Sequence, residues 1–242
     1  MSEPLFALWV YLAATPLAGL TLTLVAYGAA WAAYARARFH PLVNPVPIAV
    51  ALIVLALSAT RTDYRTYFDG AQFVHFLLGP AVVGLAVPLA REARRVRRLL
   101  VPIAGALAAG SLVALASAVG IAWLLGASPA TLASIAPKSV TAPIAMGIAE
   151  SIGGIPALAA VFAVTTGVLG AALGRFVLDA IGVRDWAARG FALGIAAHGI
   201  GTARAFQVND EAGAYAGLAF GLHGLVAAIV VPYAFVLWQR IG

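Results

Sequence analysis

Of the 242 residues, 63% are hydrophobic and only 10% charged, at a mean hydropathy of +0.98, whereas a soluble domain carries about a quarter charged residues. That balance excludes a soluble globular domain and describes a polytopic membrane protein. The net charge of +6 does not point to nucleic acid, because the arginines stand in short clusters between apolar runs, the positive-inside pattern; the lack of cysteine excludes disulfides, thiolate metal sites and cysteine nucleophiles.

At roughly 20 apolar residues per crossing, the length admits about seven or eight helical spans with short loops. The expectation is one all-α integral membrane bundle over residues 1–242 that includes discontinuous helices. The start M-S-E-P carries no basic leader. Residues 1–15 contain an apolar run, Leu5 to Ala14, too short to span, and read as an interfacial or re-entrant segment. Spans are expected at about Leu17–Ala35, closed by Arg36, Arg38 and His40, and at about Leu42–Thr60. The second opens with N-P-V-P, whose prolines are expected to deny a regular helix to its first turn and to leave Asn44 near membrane depth.

Arg61 to Asp69 mixes both charge signs with tyrosines and reads as an exposed connection. A third span, Ala71–Ala90, is broken at Leu78–Pro80 and at Pro88 and leads into R-E-A-R-R-V-R-R, Arg91 to Arg98. This strongest charge bias of the chain puts residues 91–98 on the cytoplasmic face. A fourth span covers about Leu99–Leu125.

Pro137 to Pro156 comes next and holds the only lysine, hydroxyl residues, prolines and Glu150 between apolar flanks. Such backbone survives at membrane depth only where it is buried in protein or lines a polar cavity. A span over about Ile155–Leu173, the mixed segment Arg175–Arg189, the glycine-rich stretch Gly190–Phe206 and a last span Gly213–Trp238 complete the chain. Counting every element as a full crossing puts Arg175, Arg184 and Arg189 on the face opposite Arg91–Arg98; a re-entrant Pro137–Pro156 stretch changes the count. Leu77–Glu92 and Ser134–Met146 echo one another as proline-broken segments, a pattern compatible with an inverted-repeat transporter.

The residues that could carry chemistry cluster in the two broken stretches. Lys138 is either a snorkelling lysine or a cation in a polar cavity that attracts a carboxylate. Thr141 shares its face if the segment is helical, Ser139 begins another, and a half-helix starting beyond Pro143 would aim N–H donors at an anion. Glu150 pairs with Lys138 only if the chain turns back, and is otherwise a cap or gate. His198, with Thr202 four residues on, is a functional residue by virtue of its depth or a histidine bonded to a carbonyl. Arg204 suits bidentate carboxylate binding and competes with Lys138 as the anion ligand. His75 and His223 each stand alone and read as packing or rim residues. Gly170 and Gly174, and Gly213, Gly217 and Gly221, have the spacing of close helix packing. No metal-ligand cluster and no paired carboxylates stand out, so no resident cofactor and no catalysis is expected; a Ser139–His198 hydrolase pair is the weakest alternative.

N-P-V-P-I-A (Asn44–Ala49), G-A-Q-F-V-H-F-L-L-G-P-A-V-V-G-L-A-V-P-L (Gly70–Leu89), P-K-S-V-T-A-P-I-A-M (Pro137–Met146), G-G-I-P-A-L-A-A-V-F (Gly153–Phe162) and H-G-I-G-T-A-R-A (His198–Ala205) resemble the LrgB/CidB family, whose plant relative is the plastidial glycolate/glycerate translocator. The resemblance runs from about Pro16 to Tyr233. It implies either a carrier of small 2-hydroxy or 2-keto monocarboxylates such as glycolate, glycerate and pyruvate, or an antiholin-like protein that affects murein hydrolase activity and lysis with a small LrgA/CidA-type membrane partner. It further implies residence in the bacterial cytoplasmic membrane.

On the carrier reading, Lys138, Ser139, Thr141, His198, Thr202 and Arg204 line the site with Asn44 nearby, Glu150 couples or gates, and a proton or Na+ is the coupling ion. The lysis-control reading makes Gly213, Gly217 and Gly221 the partner face. Association as a homo-oligomer is expected. One departure bears on coupling: the family places Glu after the Met of P-I-A-M, and here that position is Gly147.

Overall fold

The computed structural model describes residues 16–40, 42–77, 80, 83–84 and 86–241. The segment expected at residues 1–15 and part of the Leu77–Glu92 echo lie outside the described residues. The described elements are all helical, as the composition predicts, and the chain divides into two compact units, residues 1–84 and 85–242.

In the first unit α1 (Pro16–Arg36) packs on α2 (Pro45–Thr60) and α3 (Tyr64–Phe76). Gly19 makes the α1–α3 contact, because a Cβ there would lie 2.3 Å from the Tyr67 carbonyl oxygen. Thr23 Oγ1 and the Tyr67 hydroxyl, 2.8 Å apart, add a hydrogen bond. Two expectations are corrected here. Pro45 and Pro47 start α2 instead of breaking it: a first-turn residue has no intrahelical acceptor for its N–H, so a proline there loses nothing. Asn44 is the cap, accepting from Val46 N through Oδ1 at 2.9 Å. The Arg61–Asp69 connection is shorter than its composition implies, since α3 already begins at Tyr64.

The second unit contains α4 (Ala86–Arg91), α5 (Ala93–Arg98), α6 (Leu100–Leu124), α7 (Pro129–Ile135), α8 (Ala142–Ser151), α9 (Pro156–Ala180), α10 (Trp186–Val208) and α11 (Asp210–Ile241). Large apolar side chains of α6 lie open to the surroundings, among them Val101, Leu112, Val113 and Leu124. In water that surface would be an unsatisfied patch; in lipid it is solvated. This is an integral membrane protein. Among the described residues four helices are long and apolar enough to cross a bilayer: Leu17–Arg36, Leu100–Leu124, Pro156–Ala180 and Asp210–Leu237. Of the other expected crossings, Pro45–Thr60 is a shorter apolar helix, Ala71–Ala90 lies partly outside the described residues, and two stretches turn back on themselves.

The first of these is α10. Gly167, Gly170 and Gly174 of α9 face His198, Ala197 and Leu193 respectively, so α9 and the first leg of α10 run antiparallel. Gly190 and Gly194 touch Ala212 and Ala216, so that leg runs parallel to α11. Since α11 starts directly after α10 ends, the second leg must return to the level at which α10 began. A Cβ on Gly201 would indeed lie 2.7 Å from the Leu193 carbonyl oxygen, whereas residues eight apart on a continuous helix are separated by roughly 12 Å. The reversal occurs at His198, whose φ of 41° and ψ of −133° interrupt the helix.

The second hairpin is α7–α8. Ser134 Oγ accepts from Ile155 N at 2.8 Å and donates to the Ala130 carbonyl at 2.7 Å, which brings the chain before the turn to the chain after it. Its base lies at the α6 C-terminal end, while the α10 hairpin opens at the α6 N-terminal end, where Ile103 packs with Ala187 and Phe191. The two hairpins therefore enter from opposite faces. Arg95 fixes which face is which: its guanidinium bonds Asp185 Oδ2 at 3.1 Å and also Glu211, tying the Arg91–Arg98 cluster to the open end of the α10 hairpin. Arg175, Arg184 and Arg189 thus lie on the face of Arg91–Arg98, not opposite it, because the α7–α8 stretch between α6 and α9 turns back instead of crossing.

Candidate functional site

Lys138 stands in the turn of the α7–α8 hairpin. Pro137, Ser139 and Val140 are buried beside it, and Nζ donates to Ser139 Oγ at 3.1 Å. Lys138 and Ser139 line a cavity of about 620 Å³ bounded by α6 and the first leg of α10, with Asp185 and Tyr215 also on its wall. Most of the remaining lining is apolar, from residues such as Ile103, Phe191 and Ile195. Among the described residues no carboxylate reaches Lys138 as an ion pair. An unpaired ammonium against apolar walls favours an incoming anion, since the attraction grows as the surrounding polarisability falls.

The chain around the lysine is not helical. Thr141 is extended (φ −64°, ψ 151°) and caps α8 without a side-chain hydrogen bond, so the N–H groups of the first turn of α8 lack a side-chain acceptor. The tip of the other hairpin meets this point: Thr141 Cγ2 lies 4.0 Å from where a Cβ on Gly199 would stand. His198 is buried, its Nε2–H donating to the Ala163 carbonyl at 2.9 Å, and Thr202 Oγ1 donates to the His198 carbonyl at 2.8 Å. A non-glycine residue in such a conformation costs about 1–3 kcal/mol and persists only where its surroundings over-determine it. Here the ring is pinned against α9 in the space left by Gly167.

Of the residues named from the sequence, Lys138, Ser139, Thr141, His198 and Thr202 are brought together by the two hairpin tips. Arg204 is not among them; it lines a separate cavity of about 460 Å³ at the open end of the α10 hairpin. Asn44 belongs to the first unit, where its side chain caps α2. Glu150 is exposed near the end of α8 and makes no ion pair among the described residues, although the chain does turn back. The Ser139–His198 pair is not formed, since His198 Nε2 is taken by main chain and the Ser139 hydroxyl by Lys138. The side chain of His75 lies outside the described ones.

Two features had no counterpart in the sequence: the hydrogen-bond partner of His223 and the place of Tyr215. His223 is 5% exposed, its Nδ1 lies 2.8 Å from Ser111 Oγ, and both line a further cavity of about 290 Å³ that shares Ser139 with the larger one. Tyr215 has a buried hydroxyl with no partner among the described residues, on the wall of the lysine cavity. Neither had a local signal, because their neighbours come from distant helices.

Residues 23–237 match the LrgB-like family. This chain belongs to that family. An uncharacterised protein of Haemophilus influenzae is 34% identical over 82% of this chain and 84% of its own length. Proteins of Bacillus mycoides and Bacillus cereus, each named antiholin-like protein LrgB, are 29% identical over 90% of this chain and 95% of theirs. No solved structure matches the chain.

In this LrgB-like protein Gly147, the position where the family pattern leads one to expect Glu, is exposed, and a Cβ there would meet nothing within 4 Å. Gly213, by contrast, is covered by the Phe206 ring, so of the glycines expected to form a partner face it is engaged inside the chain, while Gly221 is open. Gly170 and Gly174 are packing contacts with α10, in keeping with their spacing.

Proposed function

We propose that this LrgB-like membrane protein carries a small 2-hydroxy or 2-keto monocarboxylate, the glycolate, glycerate and pyruvate class, through the site at Lys138. The supporting observation is a lone ammonium at the junction of two opposed re-entrant hairpins, facing a largely apolar cavity of about 620 Å³ with no carboxylate in ion-pair reach among the described residues. Lys138 neutralises the carboxylate, Ser139 and Thr141 bond the 2-substituent, and the uncapped start of α8 adds N–H donors. His198 and Thr202 hold the second tip in place, and rocking of one hairpin against the other alternates access. A proton or Na+ gradient across the bacterial cytoplasmic membrane supplies the driving force.

Uptake of labelled glycolate, glycerate and pyruvate into proteoliposomes tests this. Saturable uptake that falls at least ten-fold in Lys138→Ala supports it. Equal uptake by wild type and Lys138→Ala removes the site, and imposed gradients identify the coupling ion.

The names of the Bacillus relatives favour a second reading more directly than they favour any substrate: an antiholin-like role. On this reading the protein assembles with a small LrgA/CidA-type membrane partner, and the open Gly221 region of α11 offers a contact face. Capture of such a partner on the tagged protein, together with flat proteoliposome uptake, selects this reading over the first.

A further inference from the structure

Three cavities stand in a row along α6. The lysine cavity borders that helix from Leu99 to Ala114, the cavity at His223 from Ala108 to Leu115, and a third, of about 280 Å³, from Leu112 to Gly120. The row advances along α11 in the same sense, from Tyr215 through His223 to Ala234. Leu99 to Gly120 covers roughly 30 Å at about 1.5 Å per residue, the thickness of the hydrocarbon core. The row therefore begins at the Arg91–Arg98 face, where Asp185 lines it, and ends near the opposite one. Neighbouring cavities share walls. Leu112, Leu115, Val231 and Ala234 border both the second and the third, whereas the first and the second meet at Ala114 and Ser139. The tip of the α7–α8 hairpin is thus the division between those two, with Lys138 on one side of it.

His223 stands on the far side of that division, a buried imidazole on the wall of an otherwise largely apolar cavity. Its Nδ1 lies 2.8 Å from Ser111 Oγ. The Ser111 hydroxyl has no other acceptor among the described residues, so it donates to Nδ1 and the ring proton resides on Nε2. Nε2–H makes no hydrogen bond among the described residues. An unpaired buried donor lowers stability, and the partner it lacks is an oxygen acceptor.

We propose that the row is one solute path divided at the hairpin tip, and that His223 is a second binding station on it, its Nε2–H donating to the carboxylate that Lys138 binds on the other side. The ligand class rests on the carrier reading above. A neutral N–H holds a carboxylate less firmly than an ammonium does, and a station on a path must release what it binds. Ser139, whose hydroxyl Lys138 engages, borders both cavities, so a shift of the tip hands the solute from one station to the other.

The chain has no cysteine of its own, so single cysteines report access to each cavity in the full-length protein. Val226→Cys lies on the His223 cavity and Ala106→Cys on the lysine cavity. Leu225→Cys, on an exposed face of α11 away from the row, is the control. A membrane-impermeant thiosulfonate should modify Val226→Cys from the face opposite Arg91–Arg98, in intact cells, and Ala106→Cys from the Arg91–Arg98 face, in inverted vesicles. Leu225→Cys should resist both. Glycolate should slow the modification of Val226→Cys, with the half-protecting concentration raised at least ten-fold by His223→Leu and restored by His223→Gln, whose amide N–H replaces Nε2–H. Should His223→Leu not fold, Ser111→Ala releases the ring and is expected to weaken protection in the same direction. A silent Val226→Cys, equal modification of Leu225→Cys, or protection that ignores these variants would overturn the proposal. Proteoliposome uptake separates it from the carrier reading. Saturable wild-type uptake without protection removes the His223 station and leaves the carrier; protection with flat uptake keeps the station as a binding site and removes the carrier.

Discussion

Replacing Gly167 by alanine would set a Cβ 2.7 Å from His198 Cε1, 2.8 Å from Nε2 and 2.9 Å from Ile200 Cδ1. The Ile200 terminus can rotate away. The imidazole cannot, because the Nε2 bond to Ala163 O and the reversed backbone at His198 hold it. Relieving the contact needs a movement of most of an ångström, and overpacking of that kind costs about 1–3 kcal/mol. Loss of the buried hydrogen bond adds roughly 1–3 kcal/mol, while exchanging glycine for alanine in α9 returns about 1 kcal/mol.

The expected net loss is therefore about 1–5 kcal/mol, read as a drop of several degrees in the unfolding midpoint of the detergent-solubilised protein. The decisive measurement is the double-mutant cycle with His198→Ala. With the ring gone, Gly167→Ala should be near neutral, giving a coupling of roughly 1–3 kcal/mol. If Gly167→Ala costs the same in both backgrounds, the ring does not occupy the space at Gly167 and the account of the hairpin tip is wrong.

Four further outcomes follow from other contacts. His198→Gly should be more stable than His198→Ala by about 1 kcal/mol or more, because glycine accepts the tip conformation without strain; equal midpoints would count against a strained tip. Ser134→Ala removes a buried hydroxyl that links Ala130 to Ile155, and should cost roughly 1–3 kcal/mol and expose the α7–α8 base to faster hydrogen exchange. Tyr215→Phe deletes an unpartnered hydroxyl on the wall of the lysine cavity, so thermal unfolding should show stability unchanged or raised by about 1 kcal/mol; a clear fall would show that the hydroxyl has a partner. Gly147→Glu enters open space and should leave the midpoint within about 1 kcal/mol of wild type, which permits a direct uptake comparison of the chain with and without that carboxylate.

Composition alone determined that the protein lives in a membrane, because so few charges cannot solvate a fold of this size in water. Proline and glycine at membrane depth likewise marked Pro137–Pro143 and His198–Thr202 as the places where helix gives way, since both residue types disturb a ladder that lipid will not replace. Other local signals misled. The prolines after Asn44 read as a break but act as a helix start, because the penalty depends on where the first turn begins. The bond between His223 and Ser111 had no local signal at all, because the two come from different helices.

Only the tertiary structure decided the direction of the chain after each break. A reversal and a kink use the same residues, and what separates them is the close approach that Gly201 allows against Leu193 and the bond from Ile155 to Ser134. That choice brings Thr141 beside Gly199 and sends Arg204 to a different cavity from Lys138. It also returns Arg175, Arg184 and Arg189 to the face of Arg91–Arg98, because a hairpin changes the crossing count and a kink does not.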